Sequence, residues 1–598
     1  MNSTDMSELG NMPEWNLTDL YPGIASKELK ADQENSGNMA RKFQDTYQGR
    51  LEELADKYPS DTGLLDAIKS YEKIQDIMGR LASYSFLRYA GNTTDPENAK
   101  FFGDIQEQLT ANSSYLLFFA LELNKIPDET LDKAIEQGEL KKYKPWFDDL
   151  RKEKPYQLDD KLEKLFHEKS VTGRMAWNRL FTDTMASLRF KIGDKELTLE
   201  PTLNLLLNQD ETKRQEASDA LSEVFSSKIS IFTLITNTLA KDKEISDRWR
   251  SFEDVADSRH LSNCIEREVV DALESSVRAK YPALSHRYYA LKAKWMGKEK
   301  LAQWDRNAPV LLDTQKTYNW DEARSVVMKS YAGFSGDVAD IVQKFFDNNW
   351  IDAPTRDGKR SGAFAHPTVP SAHPYIMLNY LGTPRDVMTL AHELGHGVHQ
   401  YLANVQGPLL APTPLTLAET ASVFGEMLTF KSLLSAETDP LKKKALIASK
   451  VEDMINTVVR QIAFYSFERE IHQARREGEL TSEQIGKIWM DIQHESLGPS
   501  VELKEGYENF WCYIPHFINS PFYVYAYAFG ECLVNSLYAE FEKNSAGFQE
   551  KYIELLTAGG SKNHIELLAP FGLNATDPGF WNMGLSVIED LIDQLETM

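Results

Sequence analysis

Cysteine is nearly absent: Cys264, Cys512 and Cys532 are the three in 598 residues. Their number is odd, and their spacing fits neither a disulfide framework nor a thiolate metal site. That excludes a disulfide-built secreted scaffold and a cysteine-ligated zinc module. Long apolar runs are missing too. The most lipid-like stretch, Tyr115 to Leu121, falls far short of the roughly 20 residues a membrane helix needs. The opening MNSTDMSELG has no basic start and no apolar segment behind it, so no secretory signal is read there. Basic charge is scarce relative to acidic charge, 66 Lys and Arg against 90 Asp and Glu, and the net charge is -24. Such a balance argues against general affinity for nucleic acid or anionic membranes. No internal repeat or low-complexity tract is visible. The expected compartment is the cytoplasm.

What is present reads as a large, mostly helical globular protein. Hydrophobic residues make up 42% and charged residues 26%, as in ordinary globular chains. A chain this long exceeds what one core organises, so two or more lobes are expected. Leu51 to Tyr71, Asp128 to Leu140, Glu266 to Leu291 and Leu441 to Arg476 are rich in Ala, Leu, Glu and Lys, with apolar residues at helical spacing. Strand signals are few. Leu188 to Ile192, the Gly193-Asp194 pair and Leu197 to Leu199 read as a small hairpin, and Tyr375 to Tyr380 as a further strand. Lys141 to Gln157, with Pro145, Pro155 and many charges, is a connector, and a boundary anywhere from there to the hairpin near residue 200 fits. The expected division is an N-terminal helical lobe over 1–200 and a catalytic helical domain over 201–598.

The chemistry lies in Thr389-Leu-Ala-His-Glu-Leu-Gly-His-Gly-Val-His399. On a helix, positions i and i+4 lie one above the other, so His392 and His396 can both reach one ion. Glu393, beside the first ligand, can face a water activated by the metal without binding the metal itself. Zinc suits two imidazoles plus a carboxylate, with a position left for that water. A third ligand is needed. His399 shares the helical face, but three ligands from one short segment would crowd the ion, and its ring can instead orient the site. The better candidate is Glu419 in Leu417-Ala-Glu-Thr-Ala-Ser-Val-Phe-Gly-Glu426, 23 residues beyond His396. Gly407-Pro408 and Pro412-Thr-Pro414 supply a loop between them. On a helix continuing from Glu419, Ser422 and Glu426 share its face and can hydrogen-bond the ligating imidazoles. Helix capping or solvent exposure is the alternative for both.

With these residues assembled, the sequence resembles the oligoendopeptidase F branch of the thimet oligopeptidase family of zinc peptidases. His-Glu-Leu-Gly-His-Gly-Val-His-Gln and the later Ala-Glu-Thr-Ala-Ser carry the likeness. Trp15 to Tyr21, Trp304 to Pro309, Pro374 to Asn379, Arg460-Gln461, Phe467-Glu468 and Ile471-His472 extend it over nearly the whole chain. The resemblance implies a mostly α, two-lobed zincin-type peptidase with a deep channel and few short strands. It implies one zinc ion held by His392, His396 and Glu419, with Glu393 as the catalytic carboxylate. It implies short oligopeptides as substrates, cut at internal bonds.

Ile514-Pro-His-Phe517 and Phe522-Tyr-Val-Tyr-Ala-Tyr-Ala-Phe-Gly530 are similar to the family's His-and-Tyr region facing the zinc. A peptide hydrolase needs donors for the oxyanion, which makes His516 and a tyrosine candidates. Tyr523 and Tyr527 share one helical face and are the favoured pair; Tyr525 lies elsewhere. The strand Tyr375 to Tyr380 is expected to align an extended peptide through its backbone. Two other functions stay open at this point: an exopeptidase releasing dipeptides or single residues, and a peptide-binding protein whose metal is only structural.

Overall fold

The computed structural model describes residues 9–309 and 317–598. Most of the opening segment read above for a targeting signal therefore lies outside the described residues. The chain is mostly α-helical with a few short strands, as expected. Each expected helical run forms, but all four are divided. Leu51–Lys57 stops before Pro59, whose ring cannot continue a helix, and Gly63–Gly91 begins after it. Asp128–Ile135 gives way to a 3-10 turn over Gly138–Tyr143. Between Arg267–Lys280 and Arg287–Trp295, the Pro282–His286 segment is a π-turn. The Leu441 to Arg476 run is two helices, Pro440–Thr457 and Val459–Glu477. Among the described residues, no helix is long and apolar enough to cross a membrane.

The chain forms two compact units. One comprises Met1–Lys154, Gln315–Ala436 and Phe541–Gly572; the other comprises Pro155–Thr314, Glu437–Glu540 and Leu573–Met598. The units thus interleave along the sequence, a different partition from the serial division at residue 200. A break does fall within the Lys141 to Gln157 connector.

In the first unit, an apolar core gathers Phe43, Leu54, Leu64, Ile68, Phe119, Leu131 and Phe147. The same unit holds a three-stranded sheet of Ile351–Pro354, Phe364–His366 and Tyr375–Tyr380. Tyr375–Tyr380 has the bounds expected from sequence, and it is the middle strand. It runs parallel to Ile351–Pro354 and antiparallel to Phe364–His366. Burial on both faces explains its near-continuous apolar run. Its two edges are already paired, so it cannot itself accept a peptide as an added strand. Phe364–His366 is an edge strand.

In the second unit, the 40-residue helix Glu211–Arg250 is the longest element. Near its start, the buried Arg214 donates to Asp305 at 2.6 Å, and Lys298 reaches the other oxygen of the same carboxylate at 2.5 Å. The expected hairpin forms as Phe190–Ile192 paired antiparallel with Lys195–Leu197, turning at Gly193 with φ 58°.

Candidate active site

The motif sits on the helix Pro384–Ala403. Its start is set by a capping box: Thr383 Oγ1 accepts the Asp386 N–H at 3.2 Å, and the Asp386 carboxylate accepts the Thr383 N–H at 2.9 Å. Pro384 at the first turn needs no donor partner. The helix buries Leu390, Ala391, Leu394 and Val398 on one side and leaves His392 and His396 partly open, 25% and 19% exposed at the side chain.

Glu419 comes from a second segment, but not from within a helix. It caps the short helix Leu415–Ala418 and directly precedes the helix Thr420–Ala436. Gly395 explains how that segment comes so near. A Cβ there would collide with the Ala421 carbonyl and stand 2.6 Å from Ser422 Cα. The glycine of His-Glu-Leu-Gly-His is therefore a backbone-contact position.

The two segments bring three donors together. His392 Nε2 and His396 Nε2 each lie 3.4 Å from Glu419 Oε2, and one ligand atom of each residue lies within 4.8 Å of the others. Two imidazole nitrogens and a carboxylate oxygen are a donor set that suits zinc. Burial disfavours the Glu419 charge, yet the His396 hydrogen bond and both imidazoles hold its pKa down to about 2. His392 is likewise opposed by burial, and the Glu426 hydrogen bond with the charges of Glu419 and Glu426 raises it to about 9.

The surrounding hydrogen bonds orient these groups. His392 Nδ1–H donates to Glu426 Oε2 at 3.1 Å, which leaves Nε2 for an ion. Glu426 thus does what its spacing led us to expect. Ser422 does not: its Oγ donates to Glu419 Oε2 at 2.6 Å, because Glu419 sits one step outside the helix and its carboxylate falls back over Ser422. His399 stands apart from the trio. It is 3% exposed, its Nε2 lies 3.4 Å from Thr413 Oγ1, and burial, then the His396 charge, lower its pKa to about 4. Its ring therefore meets the loop that leads to Glu419.

Glu393 is 7% exposed. Burial raises its pKa, against the two imidazoles. The Ala365 N–H, in the edge strand, favours the charged form of this carboxylate.

Two residues that fix the site escaped the sequence reading. Tyr331 is buried and donates its hydroxyl to the Ala391 carbonyl at 2.7 Å. Gly425 makes room for it, since a Cβ there would collide with the Tyr331 hydroxyl. Tyr552 donates to the Thr420 carbonyl at 2.8 Å and pins the start of the second helix. Neither tyrosine lies near the motif in sequence, and no spacing rule points to them.

His516, Tyr523 and Tyr527 gather in the second unit. The Tyr527 hydroxyl is 3.3 Å from His516 Nε2, Tyr523 stacks on His516 with centroids 6.1 Å apart, and the two tyrosines meet edge-on at 5.3 Å. Tyr523 precedes the helix Tyr525–Lys543 rather than lying in it. Burial, then the Arg460 charge, lower the pKa of His516, so its ring is neutral near pH 7. Tyr525 is fully buried and accepts the Asn263 amide at 2.8 Å beside His260, a core role.

A mostly helical chain with an aligned His-Glu-x-x-His and a carboxylate is the form of a metallopeptidase, and comparison with known proteins gives the family. A family model described as peptidase family M3 matches residues 204–587, and one described as oligopeptidase F matches 122–190. The chain belongs to peptidase family M3 and is a metallopeptidase of the oligoendopeptidase F type. It is 27% identical to oligopeptidase PepF of Bacillus subtilis over 609 residues, covering 99% of this chain and 88% of that one. It is also 27% identical to an oligoendopeptidase F homolog of Borreliella burgdorferi, covering 86% and 87%. The fold recurs in a Chlamydophila abortus crystal structure at TM-score 0.87, 22% identity and 98% coverage of both chains. It recurs in oligoendopeptidase-F from Enterococcus faecium at TM-score 0.70, 21% identity and coverage of 95% and 97%.

Proposed function

We propose that this chain is a zinc-dependent endopeptidase that hydrolyses internal bonds of short oligopeptides. The observation that carries the reading is the approach of two imidazole nitrogens to one carboxylate oxygen, 3.4 Å in each case. A zinc ion held by His392, His396 and Glu419 supplies a Lewis acid that polarises a carbonyl and acidifies water. Glu393 accepts the proton of the attacking water and returns it to the leaving amine. The Ala365 N–H, which favours its charged form, belongs to the edge strand. That strand, Phe364–His366, takes the role first expected of its neighbour: an extended peptide can add to its outer edge. Recognition through the main chain reads sequence weakly, so cleavage preference is broad.

His516, Tyr523 and Tyr527 serve as donors to the oxyanion, a role supported by their mutual contacts and the neutral His516 ring. The names of the relatives, oligopeptidase and oligoendopeptidase, support short peptides as substrates. The buried thiols of Cys512 and Cys532, pushed well above their ordinary pKa by burial, suit a reducing compartment, and we place the enzyme in the cytoplasm.

The test is a mixture of short unstructured peptides and a stable globular protein, digested side by side with chelator-treated enzyme as control. Internal cuts in the peptides, an intact protein and silence in the control are expected. Release of dipeptides or single residues from one end alone would replace the endopeptidase reading, and activity that survives complete metal removal would end the zinc reading.

A further inference from the structure

Between the short helix His516–Asn519 and the long helix Tyr525–Lys543 the chain makes a tight turn, closed by the Tyr523 N–H on the Ser520 carbonyl at 3.1 Å. Phe522, next to Tyr523, has φ 60° and a fully buried ring. A residue with a bulky side chain stays in the left-handed region only where its surroundings impose it.

Three charged side chains from three other helices impose it here. Glu468, in Val459–Glu477, accepts the Phe522 N–H at 2.8 Å. Arg259, in Asp257–Ser262, donates Nε to the Pro521 carbonyl at 3.0 Å. Arg174, at the start of Arg174–Ser187, donates Nη2 to the Asn519 carbonyl at 3.1 Å. All three side chains line a cavity of about 750 Å³. The Phe522 ring packs against His472 at 4.8 Å, with the Lys243 ammonium 5.5 Å from its centroid.

Glu468 is the informative member. It is 2% exposed, and its Oε2 has no hydrogen-bond partner. Burial pushes its pKa up to about 8, against the Phe522 N–H and the charges of Arg259 and Lys243. A carboxyl group in such a place is unfavourable, and a leucine would fill the space at less cost. What the carboxyl alone provides is an acceptor for the amide beside Tyr523.

We infer that Glu468, with Arg259 and Arg174, forms a set of positioning residues that hold the Asn519–Phe522 turn and thereby set Tyr523 against His516 and Tyr527. This rests on the role proposed above for those three residues.

The experiment compares Glu468→Leu, Glu468→Gln and Arg259→Met in the full-length, zinc-loaded enzyme. Gln keeps an acceptor oxygen of the same reach; Leu does not. Displacing a reacting group by about 1 Å costs on the order of 10²-fold in rate, so Glu468→Leu should lower kcat by about that factor. KM should stay within about two-fold, since ground-state binding is untouched. Metal content and thermal midpoint should stay near wild type. Glu468→Gln should recover most of kcat, and Glu468→Leu should add little to Tyr523→Phe, because both act through the same hydroxyl. Wild-type kcat in Glu468→Leu, an equal loss in Glu468→Gln, or full additivity with Tyr523→Phe would each overturn the inference. Should Glu468→Leu not fold, the half-buried Arg259→Met gives the same reading, a lower kcat supporting the inference and a wild-type one overturning it. Full activity in both Tyr523→Phe and His516→Ala would remove the donor reading and the inference with it. Loss there beside a wild-type Glu468→Leu would remove the inference alone.

Discussion

Gly395→Ala sets helix propensity against close packing at the centre of the site. On propensity alone, alanine in a helix interior gains about 1 kcal/mol over glycine. The added Cβ, however, would stand 2.6 Å from both Ser422 Cα and the Ala421 carbonyl carbon. Carbon atoms rest at about 3.5 to 4.0 Å, so the second helix must retreat by roughly 1 Å. Overpacking of this kind costs about 1–3 kcal/mol, which leaves a net loss of about 0–2 kcal/mol. Global stability should therefore change little. The site should change much more, because Glu419 is two residues from Ala421 and moves with it, while His392 and His396 stay on the first helix. We expect zinc affinity to fall by about 10- to 100-fold, the scale seen when ligand orientation is lost. Chelator competition measures the affinity, and a thermal melt of the zinc-free protein measures the fold. Gly103→Ala is the control: Gly103 is an exposed helical position with nothing within 4 Å of the added atom. It should stabilise by about 0.4–1 kcal/mol with unchanged zinc binding. Zinc affinity within about two-fold of wild type in Gly395→Ala would refute the argument that this contact sets the ligand geometry.

Glu393→Gln should keep its zinc and lose nearly all turnover, since an amide cannot accept the proton; a metal-loaded variant with most of its activity would contradict the assigned role. Glu419→Ala should lose zinc on dialysis while its far-ultraviolet spectrum stays helical, and Glu426→Ala should show the smaller deficit, about 10- to 100-fold, of a group that only orients His392. The reverse order would exchange their roles. For Asp305, burial opposes the charge, but Lys298 and Arg214 hold the pKa below its ordinary value. A depressed folded pKa means the stabilisation is complete at neutral pH and is lost as pH falls from the ordinary carboxylate range through the folded value. Asp305→Asn should cost about 3–5 kcal/mol at pH 7, because Arg214 stays buried without its counter-charge, and should flatten the acid side of the stability profile. A difference below about 1 kcal/mol in denaturant unfolding would count against the pair.

The sequence made some of this legible because the signals are local. The spacing of His392 and His396 is a property of one helix, and the loop residues before Glu419 mark a second segment. Tyr375–Tyr380 shows its bounds through a near-continuous apolar run. What it could not show is pairing at a distance. Nothing in Tyr375 to Tyr380 says which strand lies on either side, so the apolar run alone does not show that both its edges are paired. The Ser422 hydroxyl went to the carboxylate rather than an imidazole because Glu419 lies just before the helix, a shift of one residue that periodicity does not resolve. Tyr331, Tyr552 and the contact at Gly395 depend on segments far apart in the chain. The Glu266 to Leu291 run kept its apolar pattern through the π-turn at Pro282–His286, so composition hid the break.

The interleaving of the two units bears on how the protein is made. The first unit, which carries His392, Glu393, His396 and Glu419, ends with Phe541–Gly572. Within that last segment, Tyr552 supplies the hydroxyl that pins Thr420. During synthesis all three ligands have left the ribosome well before this segment is available, and the second unit waits longer still, for Leu573–Met598. Chains that fold as independent modules complete them one after another from the N-terminus; here neither unit is complete until Phe541–Gly572 and Leu573–Met598 have been made. A nascent chain stalled after Ala436 carries the three proposed ligands and lacks the Tyr552 anchor beside one of them, so truncation at that point should yield neither unit intact.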